Sequence, residues 1–123
     1  MAIHNSIGKW GEDIACEKLI KEGYAIMERN WRLGHYEVDI IASKGDRIIF
    51  VEVKTRSNPD ADPVEAVDRR KRMHMVSSAN AYINHTQTRL EPQFDIIGIT
   101  ATPTECIIEH IEDAFVPPLK TYR

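Results

Sequence analysis

The sequence predicts an α/β protein in which a mixed β-sheet is flanked by helices. The predicted elements follow the order helix, three strands, helix, two strands, so both structure types alternate along one chain. A tight turn joins the second and third strands into an antiparallel hairpin, and a helical crossover follows them. The 123 residues fit a single domain, with a core over about residues 5–113 and a C-terminal tail over 114–123.

The first predicted helix covers about residues 7–22, with Ser6 as its N-cap and Gly23 at its end. Apolar residues recur there at helical spacing, at Ile7, Trp10, Ile14 and Leu19. Gly8 and Gly11 are unusual inside a helix, where each costs up to about 1 kcal/mol relative to alanine. Close packing against a neighbouring backbone or ligand would explain them, and a frayed first turn is the alternative.

Three extended segments follow and predict strands over residues 24–33, 36–42 and 47–55. The last two segments are joined by a hairpin turn that contains Gly45. The third segment is apolar on both faces until its end, which is typical of a central strand covered on both sides. The charged residues Glu52 and Lys54 at the end of such a strand therefore need an explanation.

A second helix is predicted over residues 64–84, with an inner stripe that is apolar except for Lys71. Two more strands, over residues 94–101 and 106–112, are separated by a turn around Pro103. Because a helix precedes the fourth strand, that strand is expected to run parallel to the third or to a neighbour.

Composition disfavours several classes of protein. The net charge of −3, from 16 basic and 19 acidic residues, argues against a strongly basic nucleic-acid coat protein. No apolar run reaches the roughly 18 residues of a membrane span, and the N-terminus does not resemble a signal peptide. Cys16 and Cys106 are too few and too far apart for a zinc site. We therefore expect a cytoplasmic protein with reduced thiols and no membrane partner.

The most informative segment is the predicted hairpin that carries Asp39, Glu52 and Lys54. A loop of two or four residues would place Asp39 opposite Phe50. All three charged side chains would then project from one face, which Glu37 shares. Asp39 and Glu52 would be diagonal neighbours, about 7–8 Å apart along the backbone.

Two carboxylates and a lysine in this arrangement suit metal-dependent hydrolysis. Mg²⁺ prefers carboxylate oxygen, and a bound ion can activate water and neutralise the charge of a phosphodiester. A lysine beside the ion can orient the water or stabilise developing charge. The structural alternative is an ordinary ion pair of Lys54 with Asp39 or Glu52, and spacing alone does not decide between the two.

The pattern of Asp39 followed by Glu52-Val53-Lys54 resembles that of the restriction-endonuclease-like nucleases. In that superfamily, an Asp on one strand and a Glu-x-Lys on the next bind metal and cleave phosphodiesters. Over about residues 5–101 the chain is also similar to the YraN family (uncharacterised protein family 0102) of small bacterial endonuclease-like proteins. The stretches that carry this similarity are residues 8–15, 30–32, 37–41, 50–56, 63–67 and 94–97.

The resemblance implies a restriction-endonuclease-like αβββαβ core and a metal-dependent endonuclease. Asp39 and Glu52 would hold Mg²⁺ or Mn²⁺, and Lys54 would position water or the phosphate. Glu12 matches a glutamate on the first helix of archaeal Holliday-junction resolvases and would complete the metal site or order a metal-bound water. Without the resemblance, Glu12 would be interpreted as a solvated helix charge.

Basic residues near the acids are candidates for binding a phosphate backbone. We predict this role for Arg32, Arg56, Arg69 and Lys71. The dense basic run over residues 69–72 could instead be a solvated helix face, with Lys71 extending along apolar surface. Core packing is favoured for Trp31, and a structural hydrogen-bonding role is favoured for Asp95.

Two hypotheses about function follow. The first is a Mg²⁺- or Mn²⁺-dependent endonuclease acting on DNA, with branched or otherwise structured DNA as candidate substrates. The second is a non-catalytic module that binds nucleic acid or a DNA-processing partner and keeps a vestigial acidic cluster. Intact Asp39, Glu52 and Lys54 favour the enzyme, and the acidic composition favours the module. Symmetric cleavage of a four-way junction would require a homodimer, which the sequence leaves open.

Overall fold

A computed structural model describes residues 2–56 and 67–116, with side chains from residue 8 onward. These residues form two helices and five strands, namely α1 (Ala2–Lys21), β1 (Ala25–Leu33), β2 (Tyr36–Lys44), β3 (Arg47–Arg56), α2 (Arg69–Thr86), β4 (Glu91–Ala101) and β5 (Cys106–Ile111). The strands make one sheet in the order β1-β2-β3-β4-β5. Strands β3 and β4 are parallel and the other neighbours are antiparallel, so the predicted mixed sheet and crossover are confirmed.

Helix α1 is longer than predicted at its start. It begins at Ala2, so Ser6 lies inside the helix and the predicted N-cap is wrong. The helix ends at Lys21 and Gly23 follows it with φ 93°, a left-handed conformation that favours glycine. The predicted end is therefore correct to within one residue.

Helix α2 starts later than predicted, at Arg69 rather than at residue 64. The Asp68 side chain caps the helix by accepting a 2.9 Å hydrogen bond from the backbone N–H of Lys71. Val67, before this cap, is buried but not helical. The predicted loop and the first residues of the predicted helix, over 57–66, lie outside the described residues. Neither α1 nor α2, the helices of the described segments, combines the length and apolar character that a membrane crossing requires.

The two helices cover opposite faces of the sheet. Phe50 of β3 belongs to the hydrophobic cluster under α2, whereas its neighbour Val51 belongs to the cluster under α1. This arrangement confirms β3 as a central strand that is covered on both faces. Trp31 packs against the cluster under α2 and meets the ring of Tyr82 edge-on, with the ring centroids 5.1 Å apart, as its predicted packing role requires.

The β2–β3 hairpin is shifted by two residues from the predicted register. Phe50 lies opposite Ile41 rather than opposite Asp39, because a two-residue turn one position later joins the strands. A shift of two residues preserves which side chains of β2 and β3 share a face. It moves Asp39 two positions closer to Glu52, so that a pair after Ile40 and Val51 would join residues 39 and 52.

Gly11 allows α1 to lie directly on β3. A Cβ at this position would collide with Oγ1 of Thr55 and come within 3.4 Å of its Cβ. A Cβ at Gly8, about one turn earlier, would have no neighbouring atom within 4 Å. Close packing therefore accounts for Gly11 and not for Gly8.

We expect Gly11→Ala to lower the free energy of unfolding by about 1 kcal/mol or more, because the added methyl group must displace Thr55. Gly8→Ala is the matched control and should raise this free energy by up to about 1 kcal/mol through helix propensity. Urea denaturation of both variants measures the difference. Equal effects of the two substitutions would contradict close packing at Gly11.

Candidate functional site

The candidate site lies where β2 and β3 separate. Pairing between these strands ends at Ile40 and Val51, while β3 continues beside β4 as far as Arg56. Asp39 lies at this opening, and its Oδ2 accepts a 2.9 Å hydrogen bond from the backbone N–H of Val53. The carboxylate thus accepts from a backbone N–H of β3 that no longer has a backbone partner on β2. This bond holds the carboxylate close to the plane of the sheet.

The alternation of side chains along β2 breaks at Asp39. Val38 belongs to the cluster under α2 and Ile40 to the cluster under α1, although residues two apart in a regular strand share a face. On β1, Asn30 lies between the partners of these two residues and has φ 51°. The irregularity places Asp39 between side chains that come from both faces of the sheet.

Glu52 and Lys71 form an ion pair beside Asp39. The Nζ of Lys71, on α2, lies 3.2 Å from Oε2 of Glu52 on β3. Glu52 is buried, whereas the Lys71 side chain remains 38% exposed. The sequence left open whether Lys71 extends along apolar surface or reaches the site, and the structure places its amine at Glu52. Lys54 shares the face of Glu52 on β3, two residues further on.

The pKa values of the two acids reflect this confinement. Burial and the nearby charge of Asp39 raise the pKa of Glu52 to about 7, although Lys71 and, to a smaller extent, Lys54 oppose the change. Burial also raises the pKa of Asp39, against the hydrogen bond from Val53, which lowers it. Both carboxyl groups therefore favour a proton or an added cation.

Glu12 approaches Asp39 from α1. Burial raises the pKa of Glu12 and the charge of Asp39 raises it further, whereas a hydrogen bond from the Asn30 side chain lowers it. The structure thus brings Glu12 and Asp39 together from elements that are far apart in the sequence. The sequence reasoning did not assign a role to Asn30. Its only local signal is that asparagine tolerates the left-handed conformation better than most residues.

The predicted basic residues on α2 are divided between two surfaces. Arg69 lines a cavity of about 210 Å³ beside Phe115. Lys71 instead shares a groove of about 390 Å³ with Asp68, Arg70 and His74. Lys71 and His74 lie three residues apart and therefore share one face of α2. Arg70 belongs to the basic run over residues 69–72 that the sequence analysis identified. His74 was missed, although its spacing of three residues from Lys71 could have identified it.

Arg32 and Arg56 lie on neither of these surfaces. Arg32 is exposed on β1, with Nη2 3.4 Å from Oε1 of Glu37. Arg56 ends β3 and is partly exposed. Arg32 therefore already has an acidic partner.

The acids suit a hard divalent ion that keeps part of its water shell better than they suit an ion coordinated entirely by protein side chains. Across residues 2–56 and 67–116, no group of three or more His, Cys, Asp or Glu side chains forms a metal-ligand cluster. Asp39 and Glu52 offer two carboxylates, and the charge of Asp39 also acts on Glu12. Mg²⁺ is commonly bound through one or two carboxylates and keeps several waters. Asp39 and Glu52 therefore supply the type of donor that such an ion prefers.

We expect Glu52→Gln to raise the free energy of unfolding of the metal-free protein by about 1–3 kcal/mol at pH 8. The pKa of Glu52 is higher in the folded state than its ordinary value of 4.5. The cost of ionising Glu52 therefore grows as pH rises from about 4.5 to 7. Glutamine avoids that cost, so its advantage should disappear at and below about pH 4.5.

Urea denaturation in EDTA at pH 8 and pH 4.5 measures this effect. Glu17→Gln is the matched control, because Glu17 is exposed on α1. A Glu52→Gln variant that is less stable than the wild type at pH 8 would show that the Lys71 ion pair outweighs the cost of burial.

The fold and the site define an α/β protein with a mixed sheet between two helices and a buried acidic pair where two strands separate. The chain belongs to the uncharacterised protein family UPF0102, whose family model matches residues 11–99. It is 47% identical over 120 residues to a UPF0102 protein of Bacteroides thetaiotaomicron, covering 97% of this chain and 99% of the relative. It is 45% identical over 116 residues to a UPF0102 protein of Flavobacterium psychrophilum, covering 94% and 98%. These similarities confirm the family predicted from the sequence.

Proposed function

We propose that this protein is a divalent-metal-dependent nuclease that hydrolyses phosphodiester bonds of DNA. The convergence of Asp39 and Glu52 where β2 and β3 separate is the observation that carries the proposal. Two buried carboxylates with raised pKa values are costly unless a cation or proton neutralises them. A costly arrangement of this kind is more common at functional sites than in ordinary surface ion pairs.

Each residue of the site has a distinct role in this proposal. Asp39 and Glu52 would hold Mg²⁺ or Mn²⁺, and the bound ion would supply Lewis acidity towards the phosphodiester. The Val53 N–H keeps Asp39 in position. Lys54 would orient the attacking water or a phosphate oxygen, and Glu12 would order water next to Asp39.

DNA would approach along the α2 side of the site. Arg70, Lys71 and His74 line the groove there, and Lys71 connects it directly to Glu52. Arg32 and Arg56 would bind more distant phosphates. Because the net charge is −3, we expect weak binding that falls as salt increases.

The second candidate function is a non-catalytic module that binds nucleic acid or a DNA-processing partner. It is favoured by the ion pair between Lys71 and Glu52, because this pair gives Glu52 a counter-charge without any metal. Under this alternative, Lys71 would be a permanent partner of Glu52.

A cleavage assay with the purified protein distinguishes the two functions. The substrates are linear, single-stranded, flapped and four-way DNA, each incubated with Mg²⁺, Mn²⁺ or EDTA. The nuclease should cut at least one substrate with metal and none in EDTA. Absence of cleavage on all four substrates, combined with measurable DNA binding, would instead support the module.

A further inference from the structure

We propose that Lys71 is a resident counter-ion that competes with divalent metal for Glu52 and thereby sets the metal affinity of the site. This inference rests on the proposed metal-dependent function and adds a means of regulation to the same site. It assigns Lys71 a role beyond the phosphate binding that the sequence predicted.

The backbone of Lys71 is held by the cap of α2, and its side chain extends to Glu52. Its N–H donates to the Asp68 cap in the first turn of α2, with a separation of 2.9 Å. From there, the side chain reaches Glu52, where Nζ lies 3.2 Å from Oε2. That oxygen is one of the atoms that a metal ion at Glu52 would need.

The charges at the site favour competition. The ammonium group of Lys71 is a cation 3.2 Å from the Glu52 carboxylate oxygen. A divalent ion bound to the same carboxylate would be repelled by this ammonium group. At a separation of about 4 Å, such repulsion changes affinity by roughly tenfold or more even in water.

The ammonium group of Lys71 also has an alternative position that it can occupy when it is not paired with Glu52. Its side chain is 38% exposed and borders the groove that contains Arg70 and His74. A lysine side chain is a flexible stem with a point charge, so the ammonium group can turn into this groove without a backbone change. There it would lie beside Asp68, Arg70 and His74 and would be available to a phosphate, so that metal loading would add a positive charge to the groove.

Calorimetric titration of the full chain with Mg²⁺ at pH 8.5 tests the proposal. The alkaline pH limits competition from protons at Glu52. We expect Lys71→Met to bind Mg²⁺ about tenfold more tightly than the wild type, because the repelling charge is gone. Lys71→Arg keeps the charge and should bind as the wild type does. Arg70→Met is the matched control, because Arg70 is the neighbouring exposed cation on α2 and is not paired with Glu52.

The outcomes separate this inference from the proposed function. Tighter binding by Lys71→Met alone supports competition. Equal or weaker binding by Lys71→Met, or equal tightening by Arg70→Met, overturns it while leaving the metal site in place. If neither the wild type nor Lys71→Met binds Mg²⁺, both the metal site and the competition are wrong.

Discussion

Asp39→Asn is expected to reduce metal-dependent DNA cleavage by at least about a hundredfold, the size of effect seen when a main electrostatic element of an active site is lost. The substitution removes one of the two charges that would hold the ion. It retains an oxygen that can accept the hydrogen bond from the backbone N–H of Val53. The sheet should therefore keep its opening between β2 and β3, so that the loss reports on chemistry rather than folding.

Initial rates of cleavage in Mg²⁺ and Mn²⁺ measure this effect, and a urea denaturation curve checks that the variant remains folded. Asp46→Asn is the matched control, because it makes the same chemical change at the exposed turn of the same hairpin. DNA affinity in EDTA should be similar for the two variants, since both proteins lack the ion under that condition. A variant at position 39 that cleaves at the wild-type rate would remove Asp39 from the proposed site.

Asp95→Ala should lower the free energy of unfolding by about 3 kcal/mol or more, because it removes a buried acceptor and leaves its partners unsatisfied. Oδ1 of Asp95 accepts hydrogen bonds from Nε2 of Gln93 and from the backbone N–H of Asp113, each 2.9 Å long. Oδ2 lies 2.7 Å from Nε2 of His110. Both Asp95 and His110 are almost fully enclosed, so water cannot replace these bonds.

Asp95→Asn provides a second measurement for the same site. The amide keeps one oxygen for Gln93 and Asp113, so we expect a smaller loss of stability than with alanine. Glu109→Ala changes an exposed neighbour on β5 and should alter the free energy of unfolding by no more than about 0.5 kcal/mol. If Asp95→Ala costs no more than this control, the hydrogen bonds of Asp95 do not stabilise the fold. The structural role predicted for Asp95 agrees with the three contacts described here.

Helix boundaries show why local patterns predicted the elements better than their ends. Val67 fits the same apolar stripe as α2, so helical spacing alone extends the helix through it. The cap at Asp68 ends that pattern, because its side chain satisfies a backbone N–H that the helix leaves unpaired. For α1 the predicted start was too late rather than too early. Ser6 has the side chain of a good cap, but the helix already begins at Ala2.

The predicted placement of Asp39 beside Glu52 rested on a hairpin register that the structure corrects. The predicted register was off by two residues, and a shift of two preserves the faces of a strand. A shift of one would have moved Glu52 and Lys54 to the other face. The break in alternation at Asp39 had no counterpart in the sequence pattern. The left-handed backbone of Asn30 had only a weak one, the tolerance of asparagine for that conformation.

The sequence by itself determined the order of elements, the α/β class, the family and the identity of the acidic residues at the strand ends. These properties depend on residues close together in the chain, where periodicity, turns and short motifs are decisive. Only the tertiary structure decided that the charge of Asp39 acts on Glu12, that Lys71 pairs with Glu52 and that the basic run on α2 divides between two surfaces. Those contacts depend on how the two helices pack over opposite faces of one sheet, which spacing along the chain does not specify.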